Sequence, residues 1–157
     1  MPEVNDNPIA TREDGSPIFD NTPTVVCMCV HNSDGRLIAV RRNNEPGKGL
    51  IGLPGGYHMR GETWQEAGAR ELFEETGYVI DPEGIETIVD PVTDEYGNNV
   101  IFAGYVLNSD PDFDNTVRDT SFVTPDEVQE VLHLDLYDLG SVEEWAFPLH
   151  HDVAISL

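Results

Sequence analysis

Between residues 24 and 42 the apolar positions fall in two β-rich runs, Thr24–His31 (TVVCMCVH) and Arg36–Arg42 (RLIAVRR), separated by Asn32-Ser33-Asp34-Gly35. Runs of this kind bounded by turn residues predict two strands joined as a β-hairpin. Asn43–Gly49 follows as a loop, and Leu50–Leu53 predicts a short strand that stops at Pro54-Gly55-Gly56. The period then changes. Thr63–Thr76 places apolar residues at 69, 72 and 73, with Thr63 as a cap, Glu66 three residues later and Gly77 as a stop, which predicts a helix. Apolar stretches near 78–80, 85–93 and 100–107 read as strands, the last two separated by the turn Tyr96-Gly97-Asn98-Asn99. Asp110–Asp119 reads as an acidic loop. In Thr124-Pro125-Asp126-Glu127, a cap, a proline at the first helical position and first-turn acids predict a helix through about Leu132. The tail from Glu143 to Leu157 predicts a last helix broken near Pro148.

Residues 1–23 are rich in Pro, Asn, Asp and Gly and predict an extended arm with a short strand around Ile18–Phe19; residues 24–157 are then a single domain. Hairpin-linked strands with two or three helices between them point to an α/β chain of the α+β kind. A mixed sheet with helices on its faces fits this order better than a doubly wound parallel sheet.

Composition narrows the partners. The chain has 157 residues, 39% hydrophobic, enough for one packed core. No apolar run approaches the ~20 residues of a membrane span. The acidic N-terminus lacks the features of a signal peptide, so a cytoplasmic protein is expected. With 30 acidic residues against 8 basic ones, the net charge of −22 repels nucleic acid polymers and anionic membranes. It repels phosphorylated substrates too, so phosphate chemistry here requires bound cations. An acidic shell of this size also suits a high-salt habitat; an unfolding midpoint indifferent to salt would refute that hypothesis. Cys27 and Cys29 lie two apart, on one face of a strand that His31 continues. A Cys-x-Cys-x-His metal cluster is conceivable, but without a second ligand pair two buried thiols are the expected reading.

The candidate chemistry lies between residues 55 and 78. Glu71, Glu74 and Glu75 are three and four residues apart and share one helical face. Carboxylates crowded in this way resist joint ionisation unless a divalent cation sits among them, and Mg2+ suits hard oxygen ligands. Arg70 is placed to hold the glutamates through its fork of donors. Gly55-Gly56 permits close backbone approach and can offer a carbonyl to the metal. Glu62 opens the helical stretch and can reach back toward the same site.

This stretch resembles the Nudix box: glycine, five residues, glutamate, seven residues, then Arg-Glu-apolar-x-Glu-Glu-x-Gly-apolar. Gly56, Glu62, Arg70, Glu71, Leu72, Glu74, Glu75, Gly77 and Tyr78 fill every defined position, after a typical Leu53-Pro54-Gly55. The resemblance implies an α/β/α sandwich and hydrolysis of a nucleoside diphosphate linked to another group. Glu71, Glu74 and Glu75, with the Gly55 carbonyl, would coordinate Mg2+ or Mn2+, and Arg70 would orient them. Glu71, Glu75 and Glu62, in that order, are the candidates for the proton acceptor, with Asp119 as a distal alternative.

The segment Arg41-Arg42 followed by Glu45-Pro46-Gly47-Lys48-Gly49 looks like the one preceding the box in ADP-ribose pyrophosphatase-like members. The tail Trp145–His151 is similar to the Ala-Phe-x-His ending of that group, with an insertion. Arg41 or Arg42 is a candidate for substrate phosphate, only one of them on the site face; Tyr57 and His58 are candidates for the pocket wall. The expected partner is a small nucleotide, ADP-ribose or a related nucleoside diphosphate sugar. Alternatives are a nucleoside triphosphate pyrophosphohydrolase and a non-catalytic ligand sensor, and an arm crossing to a neighbour would make a homodimer.

Overall fold

The computed structural model describes residues 4–107, 119 and 121–157. In chain order the strands are β1 (Pro8–Thr11), β2 (Pro17–Phe19), β3 (Asn21–Asn32), β4 (Arg36–Arg42), β5 (Ile51–Gly52) and β6 (Gly55–Met59). Helix α1 (Trp64–Thr76) follows, then β7 (Glu86–Thr87), β8 (Val92–Thr93), β9 (Asn99–Leu107), β10 (Val128–Asp135) and helix α2 (Pro148–Ile155). In the expected arm, β1 and β2 pair antiparallel with each other as a separate two-stranded sheet. The other strands among the described residues form one mixed sheet of order β10-β4-β3-β9-β7, with β5 on β4, β6 on β3 and β8 on β9.

The predicted hairpin closes at its turn, where Asn32 Oδ1 accepts from the Asp34 and Arg36 N–H groups at 3.1 and 3.0 Å. The two strands stay paired only at His31 and Leu37, then diverge. The following segment fills the gap. β5 pairs with β4 at Val40–Gly52 and Arg41–Ile51, and β6 pairs with β3 at Val26–Gly56 and Cys27–Gly55. Between them the Pro54 carbonyl accepts from the Met28 N–H at 2.7 Å. This wedge sets the glycine pair into the sheet. A Cβ at Gly55 would overlap the Val26 carbonyl, so only glycine fits there.

Alternation along β3 divides the core, because successive strand side chains point to opposite faces. Val26, Met28 and Val30 face α1 with Ile38, Ala67, Ala69, Leu72 and Tyr78. Cys27 and Cys29 face the other way, with Leu37, Phe102, Trp145, Val153 and Ala154 of the α2 side. A helix on each face of a mixed sheet is the expected sandwich. Gly68 lies inside α1 because a Cβ there would strike Met28 and Val26; its absence lets the helix seat closely. Both cysteines are buried free thiols, and no group of three potential ligands gathers around them among the described residues.

Several elements depart from expectation. The helix predicted from Thr124 is instead a turn, closed by Val128 N–H to the Pro125 carbonyl at 3.0 Å, followed by strand β10. The cap signals lose because β4, splayed away from β3, presents backbone groups that β10 satisfies in an antiparallel ladder. β10 also sends Val131 to one core and Leu132 and Leu134 to the other. Residues 78–80 form no strand, although Tyr78 and Ile80 are buried. The single strand predicted over 85–93 is two short ones, β7 and β8. Pro148 opens α2 rather than breaking a longer helix, as a residue whose missing N–H costs nothing in the first turn. Phe73, one of the three apolar positions that marked the helix, does not join the core with Ala69 and Leu72: it is 38% exposed and meets Phe122 edge-on. The acidic loop predicted over 110–119 lies outside the described residues except for Asp119. No helix among the described residues is long and apolar enough to cross a membrane.

Candidate functional site

Helix α1 is held at both ends by its own sequence. Thr63 Oγ1 accepts from the Glu66 N–H at 3.1 Å, and the Glu66 carboxylate accepts from the Thr63 N–H at 2.9 Å. Gly77, at φ 79°, donates to the Phe73 carbonyl at the other end. With Ala67, Gly68, Ala69 and Leu72 against the sheet, Arg70, Glu71, Glu74 and Glu75 face the wedge at β6. A Cβ at Gly56 would overlap the Glu71 carboxylate, so the missing side chain is the space that Glu71 occupies. Glu75 Oε2 accepts from the Gly55 N–H at 3.1 Å.

Arg70 is the hub of this face. Its Nε and Nη2 grip both oxygens of Glu62 at 3.0 and 2.7 Å, and Nη1 reaches Glu71 at 3.0 Å and Glu74 at 3.3 Å. Nη2 also donates to the Tyr57 carbonyl at 3.0 Å. Burial works against the Arg70 charge, but the surrounding carboxylates hold its pKa above the ordinary arginine value. The Glu62 side chain is 1% exposed, and one of its oxygens also accepts from the Met59 N–H at 3.0 Å. Both Glu62 oxygens are thus committed to holding Arg70.

The remaining carboxylates are costly to ionise. Burial, with the charges of Glu74 and Glu127 added, pushes Glu71 up to about 7 despite Arg70. Burial and the charge of Glu71 raise Glu75 well above the usual carboxylate range. Burial also raises Glu74, with Asp6 of the arm reinforcing the shift. Among the described residues no three side chains already converge at ligand distances, because Arg70 draws Glu71 and Glu74 onto itself. The donor chemistry nonetheless fits a hard divalent cation: carboxylate oxygens whose burial disfavours the charged form for want of positive charge, beside a backbone with no side chain in the way.

The opposite wall comes from β4 and the segment 145–150. Arg41 is spent, its Nε on Glu130 at 2.8 Å and its Nη1 on the Gly49 carbonyl at 3.1 Å. Arg42 points the other way, and its charge acts on Glu75, Cys27 and His150. Of the two arginines it is the one on the site face. The Tyr57 hydroxyl accepts from Asn98 at 3.4 Å, and its ring is half exposed beside the site. His58 is tied into the loop, donating from Nε2 to the Glu62 carbonyl at 2.5 Å. Asp119 is turned elsewhere: its N–H meets the Gly77 carbonyl at the far end of α1, and its carboxylate accepts from Ser121.

Residues beyond the motif also reach the site. Glu127, which the sequence placed in a helix start, acts on both Glu71 and Glu75. The Arg42 guanidinium lies 5.0 Å from the Phe147 ring centroid. His150 Nδ1 accepts from the Leu53 N–H at 3.1 Å, and burial, aided by Arg42, lowers its pKa to about 4. The similarity of the 145–151 tail to the ADP-ribose group was the one sequence signal for Phe147 and His150; Glu127 had none, because its approach depends on β10 being a strand.

The NUDIX domain family matches residues 20–151. The chain belongs to that family. An ADP-ribose pyrophosphatase of Methanocaldococcus jannaschii is 40% identical over 57 residues, 36% of this chain and 34% of that protein. The chain thus spans about a third of that relative in the match. The Nudix domain of Shewanella oneidensis NrtR, solved with ADP ribose, superposes with a TM-score of 0.62 at 19% identity, over 84% of this chain and 83% of that one. A bifunctional NMN adenylyltransferase/ADP ribose pyrophosphatase of Francisella tularensis, solved with AMP and a manganese ion, gives 0.62 at 22% identity, over 88% of this chain and 42% of that one. These likenesses show the Nudix fold.

Proposed function

We propose that this chain is a Nudix hydrolase that uses Mg2+ or Mn2+ to cleave a phosphoanhydride bond in a nucleoside diphosphate derivative, with ADP-ribose or a related nucleoside diphosphate sugar as substrate. The observation that carries the proposal is the buried carboxylate set Glu71 and Glu75, held against Gly55 and Gly56, with Arg70 bonded to Glu71. The proteins named above support the substrate class: one is an ADP-ribose pyrophosphatase and another binds ADP ribose.

Glu71, Glu74, Glu75 and the Gly55 carbonyl would hold the cation, with Glu127 as a further carboxylate from the turn just before β10. When bound, the cation would neutralise the pyrophosphate and acidify water in the site. Glu62 serves through Arg70, because both its oxygens are occupied, so proton acceptance falls to Glu71 or Glu75. Burial raises the proton affinity of both above that of an ordinary carboxylate, in the direction a general base requires. Arg42 supplies positive charge from the β4 side, where it would meet substrate phosphate. Tyr57 and Asn98 line the neighbouring edge.

The test is a substrate panel with magnesium or manganese and product identification. ADP-ribose should yield AMP and ribose 5-phosphate. Conversion of triphosphates to monophosphate and pyrophosphate, with ADP-ribose untouched, would replace the substrate assignment. Activity unaffected by chelators, or no metal binding in a titration, would overturn the mechanism.

A further inference from the structure

We infer that Phe147 is a positioning residue that holds Arg42 as a pre-oriented phosphate fork, so that the chain's C-terminal segment sets substrate affinity. This rests on the reading of Arg42 as the cation that meets substrate phosphate. The three arginines of α1 and the end of β4 spend their donors very differently. All three nitrogens of Arg70 are bonded to Glu62, Glu71, Glu74 and Tyr57. Arg41 gives Nε to Glu130 and Nη1 to Gly49. Arg42 uses only Nε, on the Pro46 carbonyl at 2.9 Å; among the described residues neither terminal nitrogen has a hydrogen-bond partner. Its guanidinium carbon lies over the Phe147 ring, 5.0 Å from the centroid, so the side chain is held while the two-pronged end stays open. A planar fork with two free donors matches two phosphate oxygens, and fixing it beforehand spares the rotamer entropy of a long side chain.

Phe147 is itself held by packing distant in sequence. The Ala146 N–H donates to the Ile51 carbonyl at 2.8 Å, beside a bridge between Ile51 and Trp145. The Phe147 ring packs on His150 at 4.8 Å, and His150 is anchored on the Leu53 N–H. Gly47 lets the 43–49 loop, which carries the Pro46 acceptor, lie directly on Ala146, where a Cβ would collide. The opening of α2, the loop after β4 and strand β5 thus converge on one guanidinium. The charge of that guanidinium already acts on Glu75 across the site.

The test measures binding of the methylene analogue of ADP, whose P–C–P link resists hydrolysis, to the full chain with magnesium by calorimetry. Arg42→Ala should weaken binding roughly tenfold, as expected for loss of a charge-assisted pair. Phe147→Leu, which keeps bulk but removes the aromatic face, should weaken it roughly fivefold, and Phe147→Trp should restore it. The Arg42→Ala/Phe147→Leu double variant should bind no worse than Arg42→Ala alone, since the ring acts through the arginine. Phe147→Met supplies the same comparison if the leucine variant does not fold. Wild-type affinity in Phe147→Leu, additive losses in the double variant, or no analogue binding by the wild type would each overturn the inference. Failure to hydrolyse any panel substrate, with Arg42-dependent analogue binding intact, would instead sink the proposed reaction.

Discussion

The two walls of the site handle charge in opposite ways. On the α1 wall, three glutamates, Glu62, Glu71 and Glu74, surround Arg70, whose donors are consumed by the protein itself. On the β4 wall, a single arginine is braced by a ring and a carbonyl, with its terminal nitrogens left open. The first wall is internally neutralised as far as one cation can manage, and it still leaves Glu71 and Glu75 with raised proton affinity. The second carries the positive charge that a protein of net charge −22 would need to admit the proposed anionic substrate. In the proposed reaction, arginine beside glutamate would organise a metal site, and arginine beside phenylalanine an anion site. The partner decides the role.

Mutations can break that contrast on either side. The largest effect is expected on the α1 wall. Glu75→Gln should lower kcat about a thousandfold with the circular dichroism spectrum unchanged, and near-normal turnover would refute its role. Gly56→Ala should follow, with a loss on the order of a hundredfold, because the added Cβ occupies the place of the Glu71 carboxylate and displaces it. Arg41→Ala, on the side of β4 turned away from the site, should change KM by less than about twofold, since it removes a half-exposed pair with Glu130. A KM change as large as that of Arg42→Ala would erase the distinction between the two arginines.

The smaller effects sharpen the electrostatics of the first wall. Glu71 holds its proton up to about pH 7 when folded, above the ordinary carboxylate value. The folded state therefore binds more protons than the unfolded chain between those two values. Its stability from this group is fully present below the ordinary pKa and is lost as pH rises through about 7. Without divalent cations, the unfolding midpoint should fall by about 5 °C between pH 5 and pH 8. Magnesium or manganese should remove most of that fall, because a cation among the carboxylates replaces the protons. A midpoint flat in pH without metal would contradict the burial of these groups.

Legibility followed sequence distance. Thr63, Glu66 and Gly77 capped α1 as the spacing predicted, and Glu71, Glu74 and Glu75 shared its face, because a helix turns residues three and four apart into neighbours without outside help. Alternation placed Arg41 and Arg42 on opposite sides of β4 in the same way, though not which side held the site. The segment from Thr124 misled because cap signals are local preferences worth about 1 kcal/mol, less than an antiparallel ladder along β4 supplies. With that strand came Glu127, invisible as a site residue until β10 set it opposite α1.

The sequence by itself determined the acidic face, the helix that carries it and the family, since these depend on contacts within a few turns of chain. Tertiary structure decided the rest. It splayed β3 from β4 and wedged Gly55 and Gly56 between them, buried Glu62 under Arg70, and left the terminal nitrogens of Arg42 open while binding Nη1 of Arg41. Those outcomes depend on which backbone groups find partners and which side chains are shut from water, quantities set only when distant segments meet.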